Sequence, residues 1–208
     1  MTAGRTVNSL SQHWCTPAKY VKAVRAALGT IELDPCSNQW SLVKAATNWS
    51  LPKDGLRQKW NYRSIYVNPP YGADRERGTR ISDWLAKCAE AHLEQAAEVI
   101  ALVPVAANTK HWKDSVWAKA TSVCFLYDTR LRFLEAGSDT GKGAPMACAA
   151  VYWGFSPSRF ADAFEPHGAV VSLAGARIPS AWAREKQLVL FETQKAPTRA
   201  KKSAKRAA

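Results

Sequence analysis

Residues 98–105 read EVIALVPV, with five consecutive apolar residues before Pro104. A strand of this kind offers water no polar face, so it must be covered on both sides. SIYVN (64–68), SVCFLYD (122–128) and ACAAVYWG (147–154) read the same way. Helical signals alternate with them. TPAKYVKAVRAALG (16–29) has Thr16 as N-cap, Pro17 at the first helical position and Gly29 as its stop. Its Tyr20, Val21, Val24, Ala27 and Leu28 share one face. RISDWLAKCAEAHLEQAA (80–97) points Ile81, Trp84, Leu85, Cys88 and Leu93 inward. KHWKDSVWAKA (110–120) and SPSRFADAF (156–164) read as helices, and SLVKAAT (41–47) as a short one. TIELDP (30–35), RLRFL (130–134) and AVVSL (169–173) read as further extended segments. Apolar strands alternating with helices predict an α/β, doubly wound, mostly parallel sheet. Ligands in such sheets bind at the carboxyl ends of the strands.

The chain of 208 residues suits one domain, expected over 14–175. A flexible arm is expected over 1–13 and a largely disordered basic extension over 176–208. No apolar run is long enough for a membrane helix, and the first residues lack the apolar core of a secretory signal. A cytoplasmic protein of a bacterial or phage-infected cell is expected, as a monomer or weak dimer. Five scattered cysteines and four histidines in no ligand spacing give no disulfide framework and no metal site. The net charge of +12 points to a polyanionic partner. Six uncompensated cations lie between Lys195 and Arg206, yet the body stays basic without them.

One strand end is chemically peculiar. After SIYV come Asn68, Pro69, Pro70 and Tyr71. Proline cannot donate to a sheet ladder, so the strand stops at Asn68. The residue before a proline is driven to extended geometry, which fixes where the Asn68 side chain leaves the strand. The Asn68 amide oxygen and the Pro69 carbonyl are both acceptors. Two preorganised acceptors suit an exocyclic NH₂, and Tyr71 offers a ring on which a planar group can stack. Asp34-Pro35-Cys36 is a second strand end closed by a proline, and should lie at the same sheet edge.

The order of W-x-TP, DPC, DGL, NPPYG, a proline-terminated apolar strand, R-x-RF and APMACAAVYW resembles the phage-type (Dam-like) DNA N6-adenine methyltransferases across about residues 14–155. The resemblance implies a Rossmann-like fold and S-adenosyl-L-methionine as methyl donor, with no metal. It implies that Thr16 and Pro17 border the methionine end of the cofactor. It implies that Asp34, Pro35 and Cys36 wrap it, that Asp54 contacts its adenine amino group, and that Asn68 adjoins it. Asn68, Pro69, Pro70 and Tyr71 match the catalytic turn. Direct methyl transfer to adenine N6 of a flipped-out base in double-stranded DNA is the implied reaction. No glycine-rich turn follows Asp34, which departs from many methyltransferases of this cofactor.

Candidate DNA contacts are Lys110, His111, Arg130, Arg132 and Lys142, which form a basic rim near the turn. The same turn also occurs in enzymes that methylate cytosine N4, RNA bases or protein glutamine. A basic DNA-binding protein without catalysis is a further alternative.

Overall fold

The computed structural model describes residues 14–128, 131–141, 144 and 146–176. The arm at 1–13 and all of the extension but Ala176 lie outside them. In chain order the elements are β1 (Trp14–Cys15), α1 (Ala18–Leu28), β2 (Leu33–Asp34), β3 (Thr47–Asn48), β4 (Ser64–Val67), α2 (Ile81–Gln95) and β5 (Glu98–Pro104). A π-helical turn (Trp112–Trp117), β6 (Ser122–Leu126), β7 (Leu134–Glu135), β8 (Ser138–Asp139), β9 (Cys148–Trp153), α3 (Pro157–Phe164) and β10 (Gly168–Ser172) follow.

Seven strands form the main sheet in the order β10-β6-β9-β5-β4-β2-β3. The fold is mixed α/β, as expected, but the sheet is only half parallel. β3/β2, β2/β4 and β4/β5 pair in parallel, whereas β5/β9, β9/β6 and β6/β10 are antiparallel. The apolar runs could not reveal this, because a strand covered on both faces reads alike in either direction. β1, β7 and β8 make a separate three-stranded sheet.

Alternate residues of β5 feed two cores. Ile100 and Leu102 join Tyr20, Val24, Tyr152, Phe160 and Phe164 under α1 and α3. Val99, Ala101 and Val103 join Leu85, Cys88, Trp112, Val116 and Trp153 under α2 and the π-helical turn. The Tyr152 and Phe160 rings stack at 4.9 Å. The buried indoles find acceptors: Trp112 Nε1–H donates to the Pro104 carbonyl at 3.1 Å and Trp153 Nε1–H to Ser115 at 3.0 Å.

Local expectations needed four corrections. α1 starts at Ala18 with Pro17 as its N-cap, because Thr16 Oγ1 is engaged by the Tyr66 hydroxyl at 2.7 Å. Leu93 is exposed, and Ala89 and His92 take the inward positions beyond Cys88. Residues 41–46 form no helix, since Lys44 has φ 43° and Thr47 and Asn48 join the sheet as β3. Within 131–134, only Leu134 enters a strand.

The chain lays β3 on one side of β2 and then crosses to place β4 on the other. That reversal is the topological switch point, and it opens a crevice beyond the carboxyl ends of β2 and β4.

Candidate active site

A cavity of about 360 Å³ fills this crevice. Asn68, Pro69, Pro70 and Tyr71 line it, together with Pro35, Cys36 and Asp54. Its size falls within the range of small-molecule sites. The two proline-closed strand ends therefore meet at one space, as their sequence suggested.

Asn68 is half-buried, and its side-chain amide makes no hydrogen bond to any described residue. Pro69 is buried. Tyr71 is held from both ends. Its hydroxyl donates to the Leu102 carbonyl at 3.2 Å. Its ring meets Trp14 edge-on at 6.4 Å and Phe133 edge-on at 5.6 Å, while Trp14 and Phe133 stack at 5.3 Å. Burial pushes the Tyr71 hydroxyl well above its ordinary range, so it stays neutral. Tyr71 is thus both a packed ring and a cavity wall.

Asp34 sits beneath the cavity and not among its lining residues. Its Oδ1 accepts the Cys36 backbone N–H at 3.2 Å, which turns the chain at Pro35. Burial pushes the Asp34 carboxyl up to about 7, against the lowering effect of the Cys36 N–H. Burial also pushes the Cys36 thiol well above its usual value, an effect that Asp34 adds to and the Asn68 backbone opposes. Thr16 and Pro17 do not line the cavity either; they anchor the start of α1 against Tyr66.

Asp54 is the second acid of the site. Its Oδ1 accepts the Leu56 N–H at 3.0 Å. Its Oδ2 is buried and has no hydrogen-bond partner among the described residues. Exposed Arg57 lies with its Nε 3.5 Å from that oxygen, an ion pair without a hydrogen bond. A buried carboxylate oxygen without a donor is rare, and on a cavity wall it calls for a ligand. Gly55 locks Asp54 in place, for a Cβ there would come within 2.0 Å of the Pro35 carbonyl oxygen. Trp60 Nε1–H clamps the Gly55 carbonyl at 2.9 Å.

The expected basic rim is only partly described. Arg130 and Lys142 lie outside the described residues. Arg132 is exposed beside buried Leu131 and Phe133. Lys110 is exposed and already paired with Asp114, and His111 Nε2 lies 3.2 Å from Thr109 Oγ1. Burial holds the His111 pKa below its ordinary value, so it is neutral near pH 7. None of these three lines the cavity.

Several wall residues carry no signal in the sequence. In the W-x-TP pattern it is Trp14 that lines the cavity, and not Thr16 or Pro17. Trp40, Trp49 and Trp84 add further aromatic walls, and Arg77 and Arg80 add cations. The nine tryptophans are scattered along the sequence, and their spacing does not mark these three as cavity walls.

The switch-point cavity of this α/β sheet thus carries an amide-proline-proline-aromatic turn on its wall, beside a buried carboxylate oxygen that no hydrogen bond from a described residue satisfies. Residues 3–155 match the family described as DNA N-6-adenine-methyltransferase (Dam). The chain belongs to that family. Comparison with curated proteins and with solved structures gave no match.

Proposed function

We propose that the chain transfers a methyl group from S-adenosyl-L-methionine to adenine N6 in double-stranded DNA, on a Rossmann-like frame. The observation that carries this reading is the convergence of Asn68 and Asp54 on one cavity of about 360 Å³. The residues present fit the cofactor. Asp54 Oδ2, which accepts no hydrogen bond from a described residue, is an acceptor for an amino or hydroxyl group, and Trp40, Trp49 and Trp84 are flat apolar walls for a purine. Pro35 and Cys36 complete that side. When bound, the cofactor supplies an electrophilic methyl on a cationic sulfur.

The rest of the chemistry is done by the turn. The lone pair of adenine N6 is delocalised into the ring, so it is a weak nucleophile. Asn68 Oδ1 and the Pro69 carbonyl accept its two N–H bonds and favour a pyramidal nitrogen with a localised pair. The positive charge that would grow at N6 during transfer would be stabilised by both fixed dipoles, whose negative ends face it. Neither acceptor is basic, so the extra proton leaves to water. Tyr71 forms part of the wall that receives the extruded base, offsetting lost stacking. Cys36 lines the same cavity as the turn, and Cys148 Sγ lies 4.0 Å from the Tyr71 hydroxyl. Burial holds both as thiols, Cys148 at about 11, which supports direct transfer without a covalent enzyme adduct.

The test is to incubate the protein with methyl-labelled cofactor and duplex DNA, then digest and identify the labelled nucleoside. N6-methyladenine is the expected product. Label in cytosine, RNA or protein would replace the acceptor, and no label at all would overturn the reading.

A further inference from the structure

The segment that leaves the catalytic turn, Gly72–Arg80, forms a rigid hairpin at the cavity mouth. Asp74 and Thr79 exchange both backbone hydrogen bonds, at 2.8 and 3.1 Å. Asp74 Oδ1 also accepts the backbone N–H groups of Glu76 and Arg77, at 3.1 and 3.0 Å. Its Oδ2 pairs with the Arg77 guanidinium. The Arg77 backbone N–H and the guanidinium both hold the Asp74 carboxyl below its ordinary range, so the staple is ionised at neutral pH. One acid therefore organises the whole turn and also occupies Arg77.

The other two arginines of the hairpin are differently placed. Arg75 and Arg80 are exposed, and neither makes an ion pair with a described residue. Arg80 also lines the cavity that holds Asn68. Its backbone N–H is fixed by Asp83 Oδ2 at 2.7 Å, so the side chain leaves from an anchored position. Lys110, by contrast, stands away from the cavity and is paired with Asp114.

We propose that Arg80, on the hairpin that also exposes Arg75, is the phosphate contact that seats the target strand over the catalytic turn. Asp74 is the positioning residue that holds the hairpin. The ligand chemistry is a phosphodiester of the DNA next to the extruded nucleotide. Arginine suits this because its planar fork meets two phosphate oxygens at once. A hairpin stapled by Asp74 spends little order on binding, and a contact on the cavity wall shared with Asn68 fixes the register of the base against the turn. This inference rests on the proposed reading of the site as a DNA methyltransferase.

The experiment uses the full chain and a duplex of about two turns, first without methyl donor. DNA affinity is measured by fluorescence anisotropy over a salt series, for the native protein, R80A, R80K and D74N. R80A is expected to weaken binding about tenfold and to reduce the salt slope by about one phosphate, irrespective of sequence. R80K should restore the slope but only part of the affinity, because the bidentate geometry is lost. D74N should weaken DNA binding with its melting temperature nearly unchanged. With methyl donor added, R80A should raise KM for DNA far more than it lowers turnover at saturating DNA.

Unchanged DNA affinity and slope in R80A would overturn the inference while leaving the function untouched. Weakened binding of S-adenosyl-L-homocysteine, with DNA affinity intact, would overturn it by making Arg80 a cofactor contact. If R80A loses DNA binding as expected but the native protein methylates no adenine, the hairpin inference stands and the proposed function falls.

Discussion

The two halves of the main sheet are built for different purposes. On the reversed side, β5 and β9 pair over six residues and β9 and β6 over four. On the cavity side, β2 and β3 pair over two residues, and β2 meets β4 through the single pair Leu33–Ile65. The short strands have a cause. Pro35 and the Pro69-Pro70 pair end their ladders, since proline has no N–H to give. Where the strands stop early, the crevice opens and polar groups such as Asn68 and Asp54 are left facing it. Where they run on, the faces are sealed by Trp153, Tyr152 and their neighbours. Stability and chemistry are thus carried by separate regions of one sheet.

The sharpest way to break that separation is to damage each half and measure both properties. Trp153→Ala removes a fully buried indole that also donates to Ser115. It should cost about 3–5 kcal/mol in a urea titration. Turnover per folded molecule should fall far less than stability. Asn68→Ala is the converse. It should lower methyl transfer by about 10²–10³-fold, the scale of losing one preorganised dipole. Its unfolding midpoint and its binding of S-adenosyl-L-homocysteine should stay close to native. A large stability loss in Asn68→Ala with transfer retained would show that the turn is scaffold and not site.

Asp54→Asn comes next in size. It retains an acceptor for the Leu56 N–H but withdraws the charge from the oxygen that accepts no hydrogen bond. Cofactor affinity should drop by about tenfold or more by calorimetry, the value of one charge-assisted hydrogen bond. The melting temperature should stay close to native, because the Arg57 ion pair is solvent-exposed on its cationic side and contributes little. An unchanged affinity would show that Oδ2 meets no cofactor group.

The legible parts of this fold were those with an unambiguous local cause. α1 was readable from its Tyr20-Val21-Val24-Ala27-Leu28 stripe and the Gly29 stop, where φ is 75°. The turn at Asn68 was readable because two prolines leave few conformations. The direction of β9 was not, because Ala149, Ala150 and Val151 are buried on both faces and no alternation betrays a partner. β3 was missed because Thr47 and Asn48 carry no strand signal and are placed by pairing with β2. In the site, residues joined to the prolines were found, and those brought by the 37–40 loop and the 72–80 hairpin were not. Their role depends on which strand ends are neighbours, and strand order is a long-range property. Asp34 shows the opposite failure, for a strand-end acid looks like a cavity residue in one dimension but is folded under the floor.

The placement of Asp34 gives the subtlest test of the divided sheet. Folding raises its carboxyl to about 7 through burial, whereas the unfolded chain releases the same proton near pH 3.9. Between those values the folded protein holds more protons, so stability falls as pH rises. Below about pH 4 both states are protonated and the burden vanishes; above about pH 7 both are ionised and it is constant. The slope from this one group cannot exceed about 1.4 kcal/mol per pH unit. Asp34→Asn retains an oxygen for the Cys36 N–H and cannot titrate. Its stability should match the native protein near pH 4 and exceed it near pH 8, with the gap opening between them in urea titrations at stepped pH. Parallel curves would mean that Asp34 reaches water, and that the floor of the cavity is as open as its mouth.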